Sequence, residues 1–197
     1  MNRRTLSAAW INLATQAGKY LVAAIVTLLP IGMASAEPPA GYSFVRFKEG
    51  IELAKTNKKP VFILFGFKGC PHCKLLEREI FDVPRQRELF EKYYTLIYVD
   101  TRGRGESADP YVTPDGDSLT RVQLEQRYQA RGAPSWAFLN RKLEPILFGS
   151  GSGQLPSSFL IYHKYVLEEH DKKQSFKQYL RTLALEIETD SPGNVSR

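Results

Sequence analysis

Residues 61–79 read VFILFGFKGCPHCKLLERE and change from apolar to charged composition at the two cysteines. Its first seven residues are a continuous apolar run, which is typical of a β-strand buried on both faces. The residues after Cys73 have the charged and leucine-rich composition of a helix. Pro71 suits the first helical position, where its missing N–H removes no hydrogen bond. We therefore predict a buried strand that leads into a helix beginning near Cys70 and continuing to about Phe81.

The two cysteines of the chain, Cys70 and Cys73, stand at this strand-to-helix junction. Unpaired backbone N–H groups and the positive end of the helix dipole favour a thiolate at such a position. His72 can add a nearby positive charge that further favours the thiolate of Cys70. The motif Cys70-Pro71-His72-Cys73 thus predicts a reactive dithiol that forms a redox disulfide.

Four other interpretations of the motif compete with the reactive dithiol. A purely structural disulfide would close a very short loop and stabilise little. A zinc site needs about four ligands, and only His72, His163 and His170 supplement the two thiols. We interpret His163 and His170 as ordinary surface or interface residues. Covalent haem attachment needs a histidine after the second cysteine, where Lys74 stands. Copper(I) needs only two soft thiolates, so a copper(I)-binding metallochaperone stays open as the alternative function. We otherwise expect no metal site and no cofactor.

The first 36 residues have the features of an export signal. They contain Arg3, Arg4 and Lys19 and no acidic residue, then an apolar stretch and small residues ending at Ala36. The apolar stretch, residues 20–33, is shorter than the roughly 20 residues that a membrane span needs. We predict a signal peptide over 1–36, cleaved after Ala36, a periplasmic location and no stable membrane anchor after cleavage. The general secretory pathway is favoured over twin-arginine export.

The charge of the chain argues against nucleic acid as a partner. The sequence has 27 basic and 21 acidic residues, and the predicted signal peptide contains three of the basic ones. The remainder has a formal charge of only +3, from 24 basic and 21 acidic residues. A nucleic-acid-binding domain normally has a strong basic patch. We therefore expect no nucleic-acid partner.

Apolar periodicity and breaking residues predict the remaining elements. We expect helices over residues 44–57, 85–93, 119–131, 156–170 and 175–188, and strands over 95–100, 135–139 and 146–148. Gly132 is predicted to cap the third of these helices. We expect a polar loop without its own pattern over 102–118, a flexible connector over 149–153 and a disordered tail over 189–197.

The order of these elements resembles the thioredoxin superfamily over most of residues 37–188. The motif at residues 70–73 and the segment RGAPSWAFL at 131–139 carry the resemblance. The break at 80–84 and the helical pair around 165 and 175–180 are similar to SoxW-type exported thioredoxins. The Pro-His dipeptide is similar to that of DsbA, whose inserted helical domain has no room in this chain. The resemblance implies one α/β domain with a central mixed sheet flanked by helices and an extra C-terminal helix.

The resemblance also implies a thiol–disulfide oxidoreductase acting on protein or peptide thiols and disulfides. Cys70, exposed at the helix start, would form a mixed disulfide with the partner, and the less accessible Cys73 would resolve it. Pro134 would be a cis-proline facing the dithiol. The backbone near Ala133 would pair with a substrate strand, so that varied peptides could bind.

One residue departs from the family pattern. Thioredoxins have a buried acid on the strand six residues before the first cysteine, where this chain has Leu64. Glu77, Glu79 or a water could replace that acid in proton transfer. The net direction of exchange stays open, because the Pro-His dipeptide argues for an oxidant. The similarity to SoxW-type exported thioredoxins argues instead for a reductant that a membrane redox partner keeps reduced.

Overall fold

The computed structural model describes residues 38–102 and 110–189. The predicted signal peptide, the centre of the 102–118 segment and residues 190–197 of the predicted tail lie outside the described residues. The elements are α1 (Phe47–Asn57), β1 (Val61–Gly66), α2 (Pro71–Leu76) with a π-helical turn (Glu77–Phe81), α3 (Pro84–Tyr93), β2 (Thr95–Asp100), β3 (Tyr111–Val112), β4 (Ser118–Leu119), α4 (Arg121–Arg127), β5 (Ser135–Leu139), β6 (Pro145–Ser150), α5 (Pro156–Leu167), a 3₁₀ turn (His170–Lys172) and α6 (Phe176–Thr189). None of the described helices combines the length and the apolar character needed to cross a membrane.

Four strands form one mixed sheet in the order β2-β1-β5-β6. β1 runs parallel to β2, with Val61 opposite Thr95, and antiparallel to β5, with Val61 opposite Leu139. β6 is antiparallel to β5 and forms one edge of the sheet. Val45 adds a single parallel bridge to Ile97 beside β2. The mixed sheet, its flanking helices and the final helix α6 confirm the predicted α/β architecture.

β1 lies at the centre of the core because it pairs with a strand on each side and is buried on both faces. The side chains of Phe62 and Leu64 lie in one apolar cluster, which includes residues of α2, α3 and α5. Those of Ile63 and Phe65 lie in a second cluster with residues of α1 and α4. Successive side chains of a strand point to opposite faces. The continuous apolar run therefore serves two separate cores.

The helix α4 shows how local sequence sets helix ends. It begins with a capping box, in which the Thr120 side chain accepts the N–H of Gln123 and the Gln123 side chain accepts the N–H of Thr120. It ends at Arg127, and Gln129 then adopts the left-handed conformation with φ of 52°. The prediction that Gly132 caps this helix is wrong, because the chain has already left the helix before it reaches that residue.

A short hairpin of β3 and β4 occupies part of the segment predicted to be a loop without a pattern, and its last residue, Leu119, lies where the next helix was predicted to begin. Tyr111 pairs with Leu119 across it. Arg127 of α4 makes ion pairs with Asp115 at 2.7 Å and with Asp117 at 3.1 Å, which hold the hairpin turn against the helix. Two-residue strands are too short to show periodicity. The hairpin therefore cannot be recognised from the periodicity of the sequence.

Two further boundaries differ from the predictions. The helix α1 begins at Phe47 and not at residue 44, because the backbone of Val45 is hydrogen-bonded to β2. The glycine-serine stretch predicted as a flexible connector begins inside β6, where Gly149 lies opposite Trp136. A Cβ atom at Gly149 would overlap the Trp136 ring. Glycine at this position therefore permits close packing.

His163 is buried in the core, so its interpretation as a surface or interface residue is wrong. It is 2 % exposed; its Nδ1 lies 3.0 Å from the Tyr94 hydroxyl and its Nε2 lies 2.9 Å from Gln86 Oε1. The amide oxygen of Gln86 can only accept, so Nε2 carries the proton and Nδ1 accepts from Tyr94. The Gln86 amide in turn donates to Pro156 O. Burial, followed by the charge of Arg85, lowers the pKa of His163 to about 3.

Candidate active site

The turn after β1 places Cys70 at the start of α2. Gly69 has φ of 77°, a conformation that favours glycine, and the Cys70 N–H donates to Phe67 O at 3.2 Å. Cys70 is the N-cap of α2, and Pro71 is at the first turn, as the sequence predicts for the helix start. Four residues, 67–70, therefore connect the central strand to the helix.

Cys70 and Cys73 form a disulfide, with their Cα atoms 5.2 Å apart. The N–H of Cys73 donates to the Sγ of Cys70 at 3.1 Å, so this sulfur takes the place of the side-chain oxygen in an ordinary N-cap. A backbone donor aimed at a sulfur stabilises negative charge on it when the disulfide is reduced. This contact favours negative charge on the Cys70 sulfur, and the role of Cys70 as the nucleophile stays a prediction.

The predicted difference in accessibility between the two cysteines is wrong for this disulfide form. Cys70 is 2 % exposed, whereas Cys73 is partly exposed. The physical reason is the segment that precedes β5, which lies against the first cysteine: the Sγ of Cys70 is 3.7 Å from Ala133 O. Position at the start of a helix does not by itself make a side chain accessible, because another segment can pack over it.

The peptide bond between Ala133 and Pro134 is cis, as the resemblance implies. Pro134 lines the same cavity as both cysteines, and its carbonyl accepts the N–H of Gly151 at 2.8 Å. The structure therefore brings Ala133 and Pro134, which are distant in sequence, against the dithiol. Their role in binding a substrate backbone stays a prediction.

His72 is exposed, and its Nδ1 lies 3.1 Å from the Ser152 hydroxyl. Ser152 belongs to the segment that follows β6, so a residue remote in sequence holds the imidazole beside the dithiol. Sequence reasoning did not find Ser152, because a serine in a glycine-rich connector carries no distinguishing pattern. The effect of His72 on the Cys70 thiolate stays a prediction.

A cavity of about 30 Å³ lies beneath the dithiol. Leu64, Cys73 and Glu77 all line it. Leu64 is 4 % exposed, so the strand position where thioredoxins have an acid is apolar and buried here. Glu79 is engaged elsewhere, since its Oε2 accepts the N–H of Gly153 at 2.7 Å. Of the two glutamates considered as replacements for the missing acid, Glu77 is the one that reaches the cavity.

Residues 38–43, which we call the N-terminal strap, run past the active-site helix. Pro39 is buried and lines the cavity, and the N–H of Ala40 donates to Glu77 Oε1 at 3.1 Å. Arg87 donates to Gly41 O at 2.8 Å, and its guanidinium lies 4.5 Å from the centre of the Tyr42 ring. The strap therefore orients the Glu77 carboxylate. This short segment has no periodic pattern in the sequence that predicts its contact with Glu77.

Metal binding has little support from the described residues. Over residues 38–102 and 110–189, there is no group of three or more histidine, cysteine, aspartate or glutamate side chains placed to hold an ion. The dithiol alone offers two sulfur ligands to a soft ion.

A dithiol at the start of a helix, opposite a cis-proline beside a central mixed sheet, places the protein in the thioredoxin-fold class. The family profile for the thioredoxin-like domain matches residues 47–166, more than half of the chain. The chain belongs to this thioredoxin-like domain family.

Similar proteins agree with the fold. A thioredoxin-fold protein from Helicobacter pylori has a TM-score of 0.53 and 18 % identity, covering 64 % of this chain and 82 % of that one. The Caenorhabditis elegans protein B0495.5 is 28 % identical over 52 % of this chain and 13 % of its own length. Spermatogenesis-associated protein 20 of Rattus norvegicus is 24 % identical over 52 % of this chain and 12 % of its own length. The matched region thus spans about an eighth of these curated relatives.

Proposed function

We propose that the protein is an exported thiol:disulfide oxidoreductase that exchanges disulfides with protein or peptide substrates through Cys70 and Cys73. The observation that carries the proposal is the Cys70–Cys73 disulfide, in which the Cys73 N–H is directed at the Cys70 sulfur. A sulfur stabilised as a thiolate is both a better leaving group and a more abundant nucleophile near neutral pH. This arrangement suits repeated opening and closing of the disulfide.

In the reducing direction, the Cys70 thiolate attacks one sulfur of a substrate disulfide. A Cys70–substrate bond forms, the substrate S–S bond breaks, and the released substrate thiolate takes up a proton. Cys73 then loses its proton and attacks the Cys70 sulfur, which closes the Cys70–Cys73 disulfide and releases the second substrate thiolate. Two electrons pass from the protein to the substrate, and the oxidising direction is the reverse.

Substrate recognition is proposed to use the backbone around Ala133, before the cis-proline Pro134. Support comes from the 3.7 Å approach of Ala133 O to the Cys70 sulfur, which would place a peptide paired with this segment beside the reacting atom. Main-chain pairing gives affinity with modest sequence preference. The burial of Cys70 in the disulfide form means that a substrate must displace this segment slightly, or approach along its edge, to reach the sulfur.

The cellular setting is proposed from the first 36 residues, whose charged, apolar and small-residue regions match a cleaved signal peptide. A periplasmic oxidoreductase needs a partner that restores its redox state, and we propose a membrane redox protein for this role. A SoxW-like protein would be a reductant, and the DsbA-type dipeptide would favour an oxidant. An equilibrium measurement against glutathione decides the direction.

The experiment that tests the proposal compares Cys73→Ala with Cys70→Ala in the exported compartment. Cys73→Ala should accumulate covalent complexes that are released by a reductant, because the resolving thiol is missing. Cys70→Ala should accumulate few, because the nucleophile is missing. The reverse pattern would overturn the assignment of roles, and it is a sharp test because Cys73 is the more exposed of the two.

A second measurement separates the enzyme from a metal carrier. The purified wild-type protein should catalyse insulin reduction, or refolding of a reduced substrate, at the same rate with and without a mild chelator. Tight copper(I) binding together with negligible exchange would instead establish the copper(I)-binding metallochaperone and overturn the proposed function.

A further inference from the structure

Resolution of the mixed disulfide by Cys73 requires a group that accepts the proton of the Cys73 thiol. Cys73 attacks as a thiolate, and a free cysteine thiol has a pKa near 8.5, so only a few per cent is ionised at neutral pH without help. The strand position that would supply a buried acid is Leu64. Its side chain lies in the apolar cluster and can neither accept nor donate a proton. The proton of Cys73 therefore goes to another group near the dithiol or directly to solvent water.

Glu77 is placed to accept it. The residue is four positions after Cys73, and residues at this spacing lie on the same face of a helix. The backbone supports this placement, since the N–H of Glu77 donates to Cys73 O. Both residues line the cavity of about 30 Å³, which is large enough to hold a water molecule. Glu77 is the one carboxylate among the described residues that line this cavity.

The Glu77 side chain is held in place and still has capacity to react. It is 15 % exposed, its Oε1 accepts the N–H of Ala40 at 3.1 Å, and its Oε2 accepts from Lys74 Nζ at 2.9 Å. A carboxylate has about four lone-pair sites, so each oxygen can accept a further bond. The strap therefore fixes the carboxylate without saturating it.

The charged groups around the cavity determine whether the Glu77 carboxylate assists or opposes ionisation of Cys73. Lys68 from the turn, Lys74 from the helix and Tyr98 from β2 also line it, together with both cysteines. A bare negative charge beside Cys73 would oppose formation of its thiolate. The ion pair with Lys74 offsets this charge. Electrostatic repulsion and proton acceptance therefore predict opposite effects of removing the carboxylate, and an experiment can tell them apart.

We propose that the Glu77 carboxylate is the proton acceptor for Cys73 when the mixed disulfide is resolved; this rests on the proposed exchange function. In the step, the S–H bond of Cys73 breaks and its proton passes to a Glu77 oxygen, directly or through one water in the cavity. The Cys73 sulfur forms a bond to the Cys70 sulfur, and the bond from Cys70 to the substrate sulfur breaks. The departing substrate thiolate takes up a proton from solvent, and Glu77 returns its own proton to solvent.

The test follows a mixed disulfide that forms between Cys70 and glutathione. Reduced protein is mixed with oxidised glutathione, quenched with acid at short times and analysed by mass spectrometry between pH 5 and 9.5. The lifetime of the glutathione adduct gives the rate of resolution by Cys73. The matched variants are Glu77→Gln, Glu77→Asp and Glu79→Gln, because Glu79 lies on the same π-helical turn but binds Gly153.

Glu77→Gln should lengthen the lifetime of the adduct about tenfold or more near pH 6.5, since general-base help is commonly worth at least 10²-fold. The difference should vanish near pH 9.5, where the thiol ionises without help. Glu77→Asp should restore most of the rate, and Glu79→Gln should match the wild type.

Three outcomes would overturn the proposal. The Glu77→Gln profile could superimpose on that of the wild type, or resolution could become faster, as pure electrostatic repulsion predicts. A slower rate by the same factor at every pH would show a merely structural role. If the wild type itself formed no adduct and reduced no insulin, the proposed function would fail, whereas normal wild-type exchange with an unaltered Glu77→Gln profile would refute the role of Glu77 alone.

Discussion

Two polar clusters border the same apolar core, and they are built in opposite ways. The His163 cluster, formed by His163, Tyr94 and Gln86, is a closed chain in which each donor meets an acceptor. The Glu77 cluster, formed by Glu77 and Cys73, borders a cavity and keeps spare lone pairs. A saturated, buried network holds helices together but has nothing left to exchange with a substrate. A half-buried carboxylate with unused acceptor sites can move a proton.

The largest expected effect on the fold is that of His163→Leu. The change leaves the Tyr94 hydroxyl and the Gln86 amide oxygen buried without partners, at about 1–3 kcal/mol for each group. We expect the free energy of unfolding to fall by about 3 kcal/mol in urea titrations, with exchange unchanged while the protein is folded. The control is His170→Leu, which removes a partly exposed ring and should cost less. If folded His163→Leu lost disulfide exchange, the claim that the His163 cluster is purely structural would be wrong.

The second prediction concerns the pH dependence of stability. The pKa of His163 is about 3 when folded, against an ordinary value of 6.5. The unfolded chain therefore takes up a proton below pH 6.5 that the native state refuses until about pH 3, so stability is fully present above 6.5 and is lost as pH falls. This residue contributes up to about 1.4 kcal/mol per pH unit in that window.

The measurement is urea unfolding of the wild type and His163→Gln at several pH values between 4 and 7. Glutamine keeps a donor and an acceptor at the site and does not titrate. The wild type should lose stability more steeply toward acid than this variant. Parallel curves would mean that His163 is protonated in the native state, contrary to the closed hydrogen-bond chain.

The third prediction addresses the redox potential. If His72 stabilises the Cys70 thiolate, His72→Ala raises the pKa of that thiol and weakens the reduced state, so the potential falls. We expect a three- to tenfold change in the equilibrium with glutathione, or about 15–30 mV. Ser152→Ala, which frees the imidazole, should move the potential the same way by less, and His163→Leu should leave it unchanged. If the redox potential of His72→Ala equals that of the wild type, His72 does not stabilise the Cys70 thiolate and is only a spacer between the cysteines.

The smallest effect is expected for Arg87→Ala, which loosens the strap. Loss of its bond to Gly41 and of its stacking on Tyr42 should cost about 1 kcal/mol or less. Hydrogen–deuterium exchange over residues 38–43 should speed up, because the Ala40 amide that binds Glu77 is less well held. Arg85→Ala is the matched control, since Arg85 pairs with Glu88 on the exposed side of the same helix. Equal exchange in both variants would show that Arg87 does not hold the strap.

The sequence predicted the features that depend on neighbours in the chain. The buried strand β1, the helix start at Pro71, and the strands at Thr95–Asp100 and Ser135–Leu139 are confirmed because apolar runs and a proline specify them locally. The burial of Cys70 was not predictable in this way, since it depends on Ala133, 63 residues later. The burial of His163 does have a signal in the sequence, because His163 is four residues after Phe159, on the same face of the helix.

The pairing of β1 with β5 has a consequence for the order in which the protein assembles. The dithiol motif follows β1 directly, whereas the segment that lies against it precedes β5 and is joined to the motif by long-range pairing. Such non-local pairings form later than local turns and helices. On the proposed function, in which this segment binds the substrate backbone, a chain that is still emerging, or is stalled before β5 docks, would have its two thiols but not the surface that selects their partners. Selectivity would then be acquired only when the sheet is complete. The test is whether the thiols of an incomplete chain react with any disulfide or only with those that the folded protein accepts.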